Sequence, residues 1–406
     1  MADVGLWRSL VSASVWGTEG REFESRQPDH FRKPIPAGWA FVYREIGMNG
    51  VLPDSEIRSL IANGAISAQP PITDAQIQPA SLDLRLGNRA WRLRASFLPG
   101  SDNRVQDRLS DFEMHQMDLS NGAVLEKGCV YLVPLAERLS LPKGLSAVAN
   151  AKSSTGRLDL LTRLITDNGT EFDRLPDGYD GPLYAEICPR SFSVLVRPGM
   201  RLNQLRLRSG HAVLDDDELR HLHAASPLVE GHALIDQGLG FSVDLRPEQG
   251  ELVGYRAKPH SGVVDLDRIG AYDPRDFWDA LHSSDGRLIL DPGAFYILVS
   301  RESVAIPADY AAEMAPYLAM VGEFRVHYAG FFDPGFGIGA TGAGARGVLE
   351  VRCHEAPFAL EHGQVVGRLV YERMAQRPER LYGQEIASNY QGQGLKLAKQ
   401  FSAYGD

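Results

Sequence analysis

Gly128-Cys-Val-Tyr-Leu-Val133 is a glycine turn running into an apolar, aromatic-bearing strand, and Gly293-Ala-Phe-Tyr-Ile-Leu298 repeats the phrase 165 residues later. Branched and aromatic side chains suit a pleated, half-buried surface, so the phrase reads as a strand that the chain uses twice. The recurrence extends outward from it. Leu52-Pro-Asp-Ser-Glu-Ile-Arg-Ser-Leu60 has the form of Leu214-Asp-Asp-Asp-Glu-Leu-Arg-His-Leu222, and Ser81-Leu-Asp-Leu-Arg85 returns as Ser242-Val-Asp-Leu-Arg246. Asp111-Phe112 returns as Asp276-Phe277, Pro142 as Pro307, and Arg197-Pro-Gly-Met200 as Glu361-His-Gly-Gln364. Both copies keep a carboxylate, Glu186 in Leu-Tyr-Ala-Glu-Ile and Glu350 in Val-Leu-Glu-Val. The fixed period makes the chain a duplication of one unit.

Within each unit, short runs such as Val130–Leu135, Ser146–Asn150, Ser193–Val196 and Phe295–Ser300 lie between Gly, Pro and Asp turns. That pattern predicts an antiparallel, barrel-like β domain. Helices are expected at the start of each unit, where acidic residues complement the helix dipole, and as a short piece near Pro274–His282. The expected divisions are 1–47, 48–211, 212–375 and a polar, Gly-dotted tail over 376–406. Residues 1–47 lack sustained periodicity, and Glu-Phe-Glu-Ser within Gly20–Arg26 back-translates to the core of a transfer-RNA gene T-arm. They are read as a mis-assigned or disordered extension ahead of Met48.

At 406 residues, with 44% hydrophobic and 23% charged residues, the chain has the length of two domains and the composition of a soluble globular protein. It contains no run of about 18 apolar residues that would cross a membrane as a helix. A net charge of −10 argues against a general nucleic-acid binder, though a small anion needs only a local cluster of cations. Cys129, Cys188 and Cys353 are scattered, which suits a reducing cytoplasm and offers no zinc spacing.

Such a cluster stands in Ala151-Lys-Ser-Ser-Thr-Gly-Arg157. The hydroxyls of Ser153 and Ser154 can donate to phosphate oxygens, while Lys152 and the planar fork of Arg157 neutralise them. A carboxylate beside phosphates needs another task, and Glu186 suits activation of water. The set points to an enzyme acting on a nucleoside triphosphate. A zinc signature of the form H-x-E with P-C-x-x-C is missing, since His354-Glu355 has no cysteine pair downstream.

Gln78-Pro-Ala-Ser-Leu-Asp-Leu-Arg-Leu-Gly87, Lys152-Ser-Ser154 with Arg157, Gly178-Tyr-Asp-Gly181, Glu186, Arg197-Pro-Gly-Met200 and the tail together resemble the dCTP deaminases of the trimeric dUTPase superfamily, in their longer two-domain form. The resemblance covers Met48 to the C-terminus as two copies. It implies a mostly β fold of two tandem dUTPase-like distorted β-barrels (β-clip domains) with a few short helices, assembled as a homo-oligomer, with a homotrimer favoured. The implied reaction is hydrolytic deamination of dCTP to dUTP and ammonia, feeding thymidylate synthesis, without zinc and with Mg2+ entering alongside the triphosphate. No nucleic-acid or membrane partner is expected.

Carried over by position, Glu186 looks like the general base, with Ser153 and Arg157 holding the catalytic water. Lys152, Ser154, Asp177, Tyr184, Tyr382, Asn389 and Gln393 fall at substrate-binding positions. Asn389 stands where the family usually has lysine. The family's Asp-Pro-Gly-aromatic turn, which reads sugar and base, is altered here to Asp173-Arg-Leu-Pro-Asp-Gly-Tyr179, leaving Asp173 and Asp177 as candidates with Asp177 preferred. The second copy has Tyr317-Leu-Ala-Met-Val-Gly322 in place of the phosphate motif, yet keeps Asp333-Pro-Gly-Phe336. It is expected to be a structural partner; the sharper reading lets Asp333 or Glu350 join a composite site. In either case the chain is expected to bear one active site with the tail folding back over the nucleotide, and Glu186→Gln is expected to abolish turnover while Glu350→Gln spares it. The rival functions are a dUTP diphosphatase, a bifunctional deaminase/diphosphatase, and a non-catalytic nucleotide-binding protein.

Overall fold

Short strands dominate the chain, as the Gly- and Pro-bounded runs require. The computed structural model describes residues 49–246, 252–316, 324–327, 330–338, 344–383 and 394–403. The expectations for residues 1–47, Met48, 317–322, Asn389 and Gln393 lie outside them.

In the first half the elements that matter are β1 (Ser81–Arg85), β2 (Val130–Ser140), β3 (Leu145–Ala151), the single-turn α1 (Ser153–Gly156), β4 (Leu160–Thr166), β5 (Asp180–Pro189) and β6 (Arg201–Ser209). One sheet runs Arg174–Leu175, β3, β6, β1; the other runs β4, β5, β2, Arg89–Leu93, Glu113–Asp118. The second half supplies β7 (Phe295–Val304), β8 (Tyr310–Pro316), β9 (Phe324–His327), β10 (Phe331–Phe332), β11 (Ala345–Cys353) and β12 (Val365–Arg373). Its sheets run β10, β8, β12, Leu239–Ser242 and β9, β11, β7, Gly254–Ala257, Trp278–Leu281. The strand order is the same in both halves.

Burial follows the two-residue period of a strand. In β3, Leu145, Ala147, Ala149 and Ala151 are buried while the residues between them are half-exposed. One core gathers Leu84, Val133 and Leu205 of the first half with Tyr255, Trp278 and Phe295 of the second and Phe401 from the C-terminus. A second core holds Phe241, Leu298, Leu349 and Leu369. The halves are also tied by a buried charge. Arg206 on β6 donates to Glu372 Oε2 and to the Ala312 carbonyl, both at 3.0 Å, and lies 4.0 Å from the centre of the Phe331 ring.

The expected opening helices occur at Asp54–Ala62 and Asp216–Ala225. The second is capped by Asp215, which accepts from Glu218 N–H while Glu218 reaches back to Asp215 N–H. The piece expected over Pro274–His282 differs: one turn, Pro274–Phe277, gives way to a strand at Trp278–Leu281. Pairing with Gly254–Ala257 and burial of Trp278 override the local helical signal. A helix at Val105–Phe112, absent from the sequence expectations, is held by buried Val105 and Leu109.

Candidate active site

The phosphate motif sits on α1, a single turn between the ends of β3 and β4. Lys152 N–H donates to Leu202 O at 2.9 Å, and the Lys152 carbonyl accepts from Thr155 N–H and Gly156 N–H, which closes the turn. The Lys152 ammonium is ion-paired with Asp83 on β1, a side chain 1% exposed. Ser153 faces the second half: a Cβ added to Gly330 would lie 3.6 Å from its hydroxyl oxygen. Ser154 lines a cavity with Lys152 and Arg201.

Arg157 is buried, donates from Nη1 to the Lys396 carbonyl at 3.1 Å, and places Nε 3.9 Å from Glu350 Oε1. Glu350, on β11 of the second half, is itself buried. Burial pushes its carboxyl up to about 8, with Arg157 pulling the other way. A carboxyl balanced near neutrality can take a proton and return it.

Asp333 also comes from the second half. Its Oδ1 is 3.6 Å from Arg206 Nη2 and has no hydrogen-bond partner among the described residues. Burial raises it to about 6, against the pull of Arg206 and Lys152. The Asp333–Phe336 turn carries Tyr382, whose N–H donates to Pro334 O at 2.9 Å and whose ring lies 5.7 Å from that of Phe336. Gly335 is required there: its φ is +95°, and a Cβ would meet Leu381 Cβ at 3.0 Å.

Several expected site residues are elsewhere. Glu186 is 1% exposed but belongs to Arg163, its cross-strand partner on β4, which donates through Nε at 3.1 Å and again through Nη2. That guanidinium is pinned 3.6 Å from the centre of the Phe172 ring. Glu186 is therefore occupied by an arginine of its own half, and the carboxylate beside Arg157 is Glu350. Tyr184 is a core residue, buried with Trp91, Leu93, Phe97 and Val105, because β5 is covered on both faces. Asp177 is a turn residue accepting from Gly144 N–H at 2.6 Å. Asp173, at φ +62°, accepts from Leu164 N–H at 2.6 Å and is raised by burial to about 7. Ser153, Arg157, Lys152, Ser154 and Tyr382 are thus joined by Asp333 and Glu350.

Glu350 and Asp333 enter the sequence reading only under the sharper, composite alternative, and Asp83, Arg206 and Gly330 are not assigned to the site there at all. A signal existed for the first two: the copy that lost the phosphate motif kept the Asp-Pro-Gly-Phe turn, and the copy that kept the motif lost the turn.

Residues 48–211 match the family model for the N-terminal domain of 2'-deoxycytidine 5'-triphosphate deaminase, and residues 215–401 match that for its C-terminal domain. The chain is similar to a solved structure of 2'-deoxycytidine 5'-triphosphate deaminase from Agrobacterium tumefaciens, at 56% identity and TM-score 0.78, covering 80% of this chain and 99% of that one. It is also 30% identical over 161 residues to a dCTP deaminase of Halorubrum lacusprofundi, covering 38% of this chain and 75% of the relative. A dCTP deaminase, dUMP-forming, of Beutenbergia cavernae is 30% identical over 156 residues, covering 38% of this chain and 77% of that protein.

Proposed function

The chain belongs to the dCTP deaminase family, and on that premise we propose a hydrolytic deaminase whose one site is assembled from both halves, with Glu350 as general base in place of Glu186. The observation that carries this is the buried approach of Arg157 Nε to Glu350 Oε1 at 3.9 Å, across the boundary between the halves.

The residues then divide the work. Ser153 and Arg157 orient a water against Glu350. The ionised form of Glu350 takes its proton as the water oxygen bonds to C4 of cytosine, and returns that proton as the C4–N bond breaks and ammonia leaves. The guanidinium of Arg157 steadies charge that develops during attack. Asp333, with an acceptor oxygen left over, accepts from the deoxyribose hydroxyl, and Phe336 with Tyr382 forms the wall of that pocket. The balance is dCTP plus water giving dUTP plus ammonia.

Magnesium enters as part of the substrate, held by phosphate oxygens and water. Among the described residues no group of three or more His, Cys, Asp and Glu side chains could hold a metal ion. Each half is read as a dUTPase-like barrel, and the assembly as a homotrimer in the cytoplasm. No helix among the described residues is long and apolar enough to cross a membrane.

The test is an assay of ammonia and pyrophosphate from dCTP and from dUTP. Ammonia from dCTP without pyrophosphate is expected. Pyrophosphate in step with ammonia makes the enzyme bifunctional, and pyrophosphate from dUTP alone makes it a diphosphatase. Light scattering giving anything but three chains rejects the trimer.

A further inference from the structure

Two residues beyond Arg157 the chain holds a second charge against the other half. Asp159, between α1 and β4, is buried and has φ +53°, a left-handed backbone uncommon outside glycine. Its N–H donates to Gly156 O at 2.9 Å, which ties it to the turn of α1, and its carbonyl accepts from Arg190 N–H at 2.9 Å. Its Oδ2 accepts from Ser191 Oγ at 2.6 Å and from Arg352 Nη1. Ser191 is followed by Phe192, whose ring lies edge-on to Trp278 of the second half at 5.2 Å. Arg352 stands on β11 two residues past Glu350, which in a strand puts both side chains on one face. Its second prong, Nη2, donates to Gly293 O at 2.8 Å.

Two pairs of opposite charge thus cross the boundary side by side, Arg157 with Glu350 and Asp159 with Arg352. They differ in closeness. Arg157 Nε is 3.9 Å from Glu350 Oε1, beyond hydrogen-bond reach, whereas Asp159 and Arg352 are hydrogen-bonded. A pair that must admit a water between its members cannot itself hold the boundary; the neighbouring pair can. The strand does not require an arginine for its own sake, because the place two residues past Glu186 in the first half is Cys188. A left-handed backbone and a buried ion pair each carry an energetic penalty, and here both fix one quantity, the separation of α1 from β11.

We propose that Asp159 and Arg352 are positioning residues, a clamp that sets the approach of Arg157 to Glu350 across the boundary between the halves. The assignment deepens the deaminase reading and rests on it for the roles of Arg157 and Glu350.

A single neutral substitution strands one buried charge and can unfold the chain, so the deciding variant is the neutral pair D159N/R352M. Its Tm is expected to recover most of what R352M loses. Its kcat for ammonia release from dCTP is expected to stay about 100-fold down, the scale of a misplacement of about 1 Å, with KM within a few-fold. R352K keeps the charge beside Asp159 and gives up the second prong; its kcat is expected to fall about tenfold at near wild-type Tm, and it decides the matter should the neutral pair not fold. Wild-type kcat in either folded variant overturns the clamp. A carboxyl NMR titration of Glu350 reads the same geometry without turnover. Arg157 is the charge that opposes burial there, so the midpoint is expected to rise once Arg157 is no longer held beside it. An unmoved midpoint overturns the clamp. A midpoint that rises in a protein whose wild type releases no ammonia from dCTP keeps the clamp and rejects the deaminase reading.

Discussion

Glu186 and Glu350 hold the same place in two sheets of the same strand order, and they have met opposite fates. Glu186 lies across from Arg163, whose Nε and Nη2 both donate to its Oε1. Glu350 lies across from His327 in its own sheet and looks toward Arg157 of the other half. The lesson concerns duplication. A site built between two units needs the phosphate motif from one and the carboxylate and Asp-Pro-Gly turn from the other. Once both units are on one chain, each can lose the part that its partner supplies. The first half has kept Lys152, Ser153, Ser154 and Arg157, and the second has kept Asp333 and Glu350.

The sharpest way to break this contrast is a pair of charge-neutral substitutions. Glu350→Gln is expected to cut ammonia release from dCTP by about 10³-fold, the scale of losing a general acid–base group, while Glu186→Gln stays within a few-fold. The reverse order would return the catalytic role to Glu186.

Stability gives the next largest effect. Arg163→Met strips a buried carboxylate of its partner and should cost about 3 kcal/mol in urea unfolding, since one-sided removal leaves an uncompensated charge. The double variant with Glu186→Gln should recover most of that. If Arg163→Met alone is silent, Glu186 is not held as described.

The two aspartates sharpen the comparison at the sugar. Asp333→Asn is expected to weaken dCTP binding about tenfold, the value of a hydrogen bond to a charged acceptor, whereas Asp177→Asn leaves it unchanged; calorimetry reads both.

The smallest effect is a pH trend. Glu350 keeps its proton in the fold up to about 8, against 4.5 for an ordinary glutamate. Between those values the unfolded chain has lost a proton that the folded chain retains, so stability falls as pH rises. Glu350→Gln removes that fall: its Tm should exceed the wild type's at pH 8 and converge with it toward pH 4.5. Parallel Tm curves would show that Glu350 titrates normally.

Much was legible without coordinates. The strands at Val130 and Phe295, the opening helices and the clustering of Lys152, Ser153, Ser154 and Arg157 all follow from local pattern, because turn chemistry and two-residue alternation act over a few residues. Tyr184 was misplaced because alternation says which face a residue takes, and both faces of β5 are covered. Trp278–Leu281 was misread because its strand pairing is to Gly254–Ala257, which no local signal reports.

From the residues alone came the duplication, the β class, the phosphate motif and the kinship with dCTP deaminases. Which glutamate meets that motif was decided only by the tertiary structure. Glu186 and Glu350 sit in locally equivalent strands, so nothing within a few residues of either distinguishes them. The choice lies in what packs across the boundary between the halves, where Arg206, Glu372 and the shared aromatic core bring the second half's turn and carboxylate against the first half's α1.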